Sequence, residues 1–579
     1  MHRRTLRRMH LRYVYLALVA IPAIISAPGG FSGLARAQVP GNCELGRAEG
    51  EIDVGDVYAK VFNTGSLFFG NTSQAAYLVP KNSGRSPIFA ASLWVGGLVD
   101  GELRVAGATY HDFEFWPGPL DATTGRPPNP DDCSAYDRIW RVSRGDVAEY
   151  YRAGVATTDM VEWPFHLGAP VIDGDGDPDN YDLAAGDQPA ISGDQMLWWV
   201  MNDVGSAHRS THTAPVGLEV QVSVFGIASG PPALNQATYY SYRLRNAGPS
   251  MIDSAYAAIW SDVDLGDAVD DYTGSDTLRG YGYVFNADNQ DGSGTGGTYG
   301  PTPPALAIAA LEGPVGLPNM RDDDRDGSID EPDERLRMSG FMSVFDWVFP
   351  QTHPSDGRQM YNTMQGRWLD GTRVTLGGTG LNPGSVATTP FMFPGNPIPP
   401  QFWSQRCPGS TAACGAAFTP QDQTMMVSSG PFRLASGAAQ DILFGIVFAQ
   451  GTDYLDSVME LRAAVTVVRA ARDAGLLDAQ RVPGWPGPPA PPAAVELRRP
   501  APNPFTDEAV MSVTLPAAAG VRVALVDVLG REVAVLADGP HEAGPHPIAI
   551  AGAGLTPGVY VARVWVNGQP AGALPLTRR

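Results

Sequence analysis

The chain has 579 residues, 44% of them hydrophobic, which is ordinary for a globular protein and too long for one hydrophobic core. Its formal net charge of −21 repels nucleic acid and anionic membrane surfaces, excludes them as partners and suits divalent cations. Glycine (67) and proline (51) are both abundant, which favours short strands and many turns, so a mostly β, multi-domain fold is expected.

Residues 2–12 are basic, residues 13–27 are an apolar run, and Ala35-Arg36-Ala37 supplies a small-residue site. This three-part order predicts a secretory signal peptide over 1–37, with cleavage before Gln38. The run falls short of the roughly 20 residues that span a bilayer. No later segment is long and apolar enough to do so, so no transmembrane segment is expected in the mature chain. Arg7-Arg8 leaves the export route open between the general and twin-arginine pathways. In an exported chain the even cysteine count (Cys43, Cys133, Cys407, Cys414) predicts disulfides. Three pairings are possible; the preferred one closes a short loop with Cys407–Cys414 and bridges Cys43 to Cys133.

Residues 38–215 read as a β-rich region with an acidic loop over 166–195. Residues 88–95 predict a buried strand stopped by Gly96-Gly97, and 102–106 a second strand. Residues 216–480 predict a β-sandwich. Over 218–224 apolar Leu218, Val220, Val222 and Val224 alternate with Glu219, Gln221 and Ser223, a period of two that buries one face. Residues 238–245 repeat it, with Tyr240, Tyr242 and Leu244 on one side. Leu455, Val458, Leu461, Val465 and Val468 have helical spacing and predict a helix over 454–477, the one clear helix of the body. Residues 481–495 are a proline-rich, semi-rigid linker. Residues 496–579 carry short strands at near-regular spacing, as in a small Ig-like antiparallel sandwich.

That last module opens on Ala501-Pro502-Asn503-Pro504-Phe505. It continues through Leu515-Pro516, Val526-Asp527-Val528-Leu529-Gly530-Arg531-Glu532-Val533 and Leu555-Thr556-Pro557-Gly558-Val559-Tyr560, and ends in Leu576-Thr577-Arg578-Arg579. These motifs resemble the type A C-terminal sorting domain of the type IX secretion system. The resemblance implies export through the periplasm to the outer cell surface or the medium. It also implies the secretion machinery as a partner, and surface polysaccharide as a possible attachment. The body resembles uncharacterised surface proteins that carry such tails.

The strongest chemical motif is the acidic run from Asp322 to Asp333. With Asp322 as position 1, oxygen ligands fall at Asp322, Asp324, Asp326, Ser328 (position 7), Asp330 and Asp333, with Gly327 at the bend. Alternating carboxylates of this spacing wrap calcium, while Pro318 and Pro332 argue against the flanking helices of an EF-hand. Asp173, Asp175, Asp177 and Asp179 form a second candidate loop. Asp262, Asp264, Asp267, Asp270 and Asp271, after the strand ending at Trp260, form a third, with Asp262, Asp264 and Asp267 as its expected ligands. Calcium is therefore the expected cofactor, in a structural role.

Catalytic motifs are scarce. G-x-S-x-G, H-E-x-x-H and G-x-x-x-x-G-K do not occur. His208 and His212 are four apart but in a loop-like stretch, where exposed histidines are expected. Trp116, Trp163, Trp198 and Trp199 read as packing rather than sugar platforms. The expectation is a non-enzymatic, calcium-stabilised structural or adhesive protein; a glycosidase-like hydrolase or a glycan-binding protein is the competing reading. A deep pocket with two convergent carboxylates would favour the hydrolase, carboxylates gathered on loop tips the first reading.

Overall fold

The computed structural model describes residues 41–579, apart from 70–74, 111–112, 130, 295, 325–327, 346–347, 383–384, 399, 402, 407–417, 481, 483–494 and 529. Strand accounts for 41% and helix for 11%, and none of the antiparallel sheets closes into a barrel.

Two nine-stranded sheets form the body among the described residues. The main path of the first runs Glu49–Val54, Val57–Phe62, Ser66–Leu67, Ala90–Val99, Ile252–Asp262, Thr424–Leu434, Gly340–Val344. The second runs Asp271–Asp276, Tyr281–Asn286, Ala305–Glu312, Ala439–Ala449, Ala237–Asn246, Leu218–Gly226, Gln195–Asn202, Trp116–Pro117. The period of two does what the sequence predicts. Val220, Val222 and Val224 pair with Leu244, Tyr242 and Tyr240, and all six turn into one core with Leu93, Ile259 and Val427 of the facing sheet.

Helices cover the outer faces. Tyr454–Asp473 starts on Asp453, whose carboxylate accepts from the amides of Leu455 and Asp456, both at 2.9 Å. It lays Val458, Leu461, Val465 and Val468 beside Tyr239, Ala307 and Val447. Burial of each such side chain stabilises by about 1.5–3 kcal/mol. Gly357–Met364 covers the other sheet, setting Met360, Tyr361 and Met364 with Trp94 and Trp260. Neither this helix nor Arg144–Ala153 was predicted: each is short, and Arg144–Ala153 buries only Val147.

Three expectations change. The regions 38–215 and 216–480 share both sheets rather than standing side by side: Gln195–Asn202 pairs with Leu218–Gly226, and Ala90–Val99 pairs with Ile252–Asp262. Periodicity identifies strands but not partners. The strand expected to stop at Gly96-Gly97 runs on to Val99. A Cβ at Gly97 would meet Ile252 Cγ2 at 2.7 Å, so the glycine there permits close packing rather than a turn. Third, His208 is buried, not exposed, with Nδ1 2.9 Å from the Val105 carbonyl and Nε2 2.8 Å from that of Asp203. Cys43 and Cys133 form a disulfide beside Trp116. Cys407 and Cys414 lie outside the described residues.

The last module is a pair of small sheets. Glu496–Ala501, Glu508–Leu515 and Gly544–Ala551 form one; Glu532–His541, Ala519–Asp527, Gly558–Val566 and Gln569–Arg578 form the other. Met511, Val513, Val523, Leu525, Ile550 and Val564 share its own core. The opening motif clasps the terminal strand. The Asn503 amide oxygen accepts from Thr577 N at 2.9 Å, and Phe505 N donates to the Thr577 carbonyl at 3.0 Å.

Candidate metal centres

Three groups of carboxylates converge among the described residues, each with ligand oxygens within 4.8 Å of one another. Two oxygens on opposite sides of a calcium ion, at roughly 2.4 Å each, stand about that far apart.

The first group is Asp322, Asp324 and Glu334. Glu334 is buried, and its two oxygens accept the amides of Asp323 and Asp330, so it ties both limbs of the loop together. Asp330, at φ +57°, accepts from the amides of Asn319 at 2.6 Å and Met320 at 2.9 Å. Ser328 and Asp333 are exposed and lie outside the trio, and Asp326 lies outside the described residues. Asp323 accepts from the Asn319 side-chain amide; burial raises its carboxyl above the usual range, with Asn319 opposing. Glu334 is the residue that sequence spacing missed: it stands one place beyond the expected position 12.

The second group is Asp173, Asp175 and Asp187. Asp173 Oδ1 accepts from the amides of Asp175 (3.1 Å) and Gly176 (2.6 Å), and Asp175 Oδ1 from Asp177 N at 2.9 Å. Each aspartate turns the chain onto the next. Asp177 continues the series, accepting from Asp179 N at 3.1 Å, and neither Asp177 nor Asp179 joins the trio. Asp187 is buried and was not predicted; its carboxylate accepts from Gly174 N at 2.8 Å and Asp182 N at 2.7 Å.

The third group is Asp262, Asp264 and Asp422, and the last was not predicted. Asp262 ends its strand and pairs with Thr424 on the neighbouring one. Asp262 is buried, Asp264 partly buried and Asp422 exposed, so the group opens to solvent on one side. Burial, then the neighbouring carboxylates, pushes the Asp262 and Asp264 carboxyls well above the ordinary range. Asp267 goes elsewhere. Its amide donates to Asp291 Oδ1 at 2.8 Å, in a second acidic set with Asp270 and Asp271.

A cleft of about 740 Å³ lies on the outer face of the second sheet, lined by Trp198, Gln221, Arg243, Glu312, Asp441 and Asp478 among others. Its carboxylates are held by arginines. Arg472 Nε donates to Glu312 at 2.8 Å, Arg243 reaches Asp441 at 3.1 Å, and Arg472 reaches Asp478 at 3.3 Å. Trp116, Trp163, Trp198 and Trp199 are all buried, as packing residues are.

No protein-family model and no curated protein matches the chain. Among solved structures it has a distant likeness to a polysaccharide lyase (7% identity, TM-score 0.18), covering 62% of this chain and 34% of that one. It has another to the adhesin domain of Epf from Streptococcus pyogenes (8% identity, TM-score 0.12), covering 67% of this chain and 92% of that one. A third is to the alkylpurine DNA glycosylase AlkC of Pseudomonas fluorescens (19% identity, TM-score 0.12), covering 21% and 39%. At such scores these likenesses carry no argument about activity.

Proposed function

We propose that the chain is an exported protein of the outer cell surface or the medium, directed there by residues 496–579, and that its body is a non-enzymatic, calcium-stabilised structural or adhesive sandwich. The observation that carries the reading of the body is where its carboxylates lie. They gather on loops and strand ends, whereas those lining the cleft are each engaged by an arginine. An acid–base pair for hydrolysis needs carboxyls free to meet the substrate, and these are committed to arginines.

Calcium would act through the loop of Asp322, Asp324 and Glu334, offsetting mutual repulsion and ordering a segment that joins two strands. A ligand bound only by the native state stabilises it by RT ln(1 + [L]/Kd), about 2.7 kcal/mol at a hundredfold excess. The test is thermal melting of residues 38–579 with calcium and with chelator, together with elemental analysis. A difference of several degrees and bound calcium are expected. Identical curves with no calcium found would reject the reading. The cleft offers a polar surface for a glycan-binding alternative, which polysaccharide binding lost on Arg243→Ala would support instead.

A further inference from the structure

We infer that Asp262, Asp264 and Asp422 form a cation site of their own, which takes calcium and pins the ends of two neighbouring strands. It extends the proposed calcium dependence of the body but stands on separate residues.

The argument starts from register. Asp262 pairs with Thr424, and Val263 N donates to the Gln423 carbonyl at 3.4 Å. Continuing that antiparallel register one step sets Asp264 against Asp422. Like charges directly opposite on paired strands are destabilising. Asp262 adds a third carboxylate in the same small volume.

A buried orphan atom gives a second, independent indication. Asp262 is only 7% exposed; Tyr110 donates to its Oδ2 at 2.8 Å, while its buried Oδ1 accepts from no N–H or hydroxyl and the Asp264 carboxyl lies within hydrogen-bonding reach of the same side chain. Asp271, wholly buried in the adjoining acidic set, repeats the pattern: Oδ2 accepts from Leu265 N at 2.9 Å and Oδ1 has no hydrogen-bond donor. Leaving such a buried acceptor unmade is destabilising, the more so for a charged group. A cation bound at this edge would meet the Asp262 oxygen, neutralise the opposed pair and reach solvent through exposed Asp422.

The donor set selects the ion. The three members of the group are all carboxylates, so it suits a hard cation such as calcium better than zinc. Tyr110 ties the site to the adjoining core: it hydrogen-bonds Asp262 and meets Trp260 edge-on at 5.1 Å.

The experiment uses residues 38–579 carrying Glu334→Gln and Asp175→Asn, which impair the other two groups. Calorimetry with calcium should still show one binding event, and terbium should give emission sensitised through Tyr110 and Trp260 that excess calcium displaces. Adding Asp264→Asn should abolish both. It should also have opposite effects on melting: a higher midpoint in chelator, because a repulsion is gone, and a smaller gain on adding calcium. A merely structural aspartate would lower the midpoint in both. Asp422→Asn, at an exposed position, provides the same readout should Asp264→Asn not fold. No calcium binding by the background protein would overturn the inference while leaving the Asp322 loop standing. Binding unchanged by Asp264→Asn or Asp422→Asn would overturn it as well. Binding by the background protein with no loss on Glu334→Gln alone would remove the loop and leave this site.

Discussion

Glu219 and Arg245 stand opposite each other on neighbouring strands, and Arg245 Nη2 donates to Glu219 Oε2 at 2.7 Å. The alternating pattern assigns Glu219 to the polar face, yet only 2% of it is exposed. The loop that includes Leu120 lies over it. Leu120 N donates to Glu219 at 2.7 Å, and Arg245 donates to the Leu120 carbonyl at 2.6 Å. One ion pair therefore joins two strands and fastens a loop.

Arg245→Met should leave the buried Glu219 charge uncompensated and cost about 3–5 kcal/mol. Arg243→Ala, which breaks the exposed pair with Asp441, should cost about 1 kcal/mol or less. Denaturant unfolding of the two variants measures the contrast; equal losses would mean that the Glu219 pair is no better buried than the other.

Glu334→Gln should remove most of the calcium-dependent rise in melting temperature at the Asp322 loop, whereas Asp333→Asn should leave it nearly intact. Glu334 is in the trio and Asp333 is exposed outside it. Melting in calcium and in chelator reads the difference, and the reverse ranking would restore the spacing of an ordinary EF-hand loop.

Without calcium, the second acidic set should make the protein more stable as pH falls. Burial, opposed by the Gly292 amide, and then the charges of Asp291, Asp267 and Asp288 raise the Asp270 carboxyl to about 7, and Asp271 is raised well above its ordinary range by burial. A carboxyl raised on folding contributes stability that is present below its unfolded pKa and is lost as pH rises through the folded one. For Asp270 that window runs from the ordinary aspartate value near 4 up to about 7. Chelated protein should melt higher at pH 5.5 than at pH 8, and Asp270→Asn should flatten the slope. A slope of the opposite sign would reject the assignment.

Deleting residues 496–579 should strand the protein in the periplasm, as cell fractionation would show. Asn503→Ala, which removes the side chain that accepts from Thr577 N and donates to the Pro575 carbonyl, should loosen the terminal strand and lower surface delivery. Normal delivery of the truncated chain would reject the sorting role.

Local pattern carried much of the fold. Alternation over 218–224 and 238–245 identified two central strands and the face each buries, because a strand's side chains change sides at every residue. Helical spacing placed the helix of Tyr454–Asp473, and turn residues marked the strands of the last module. The aspartates of two loops were legible because adjacent ligands lie close along the chain. What tertiary structure alone decided was which distant residue completes each group. Glu334 closes its loop through two backbone amides, Asp187 is buried beneath the Asp173 turns, and Asp422 meets Asp264 only because their strands pair in one register. Antiparallel pairing joins positions far apart in sequence, and no spacing rule written along the chain contains that register.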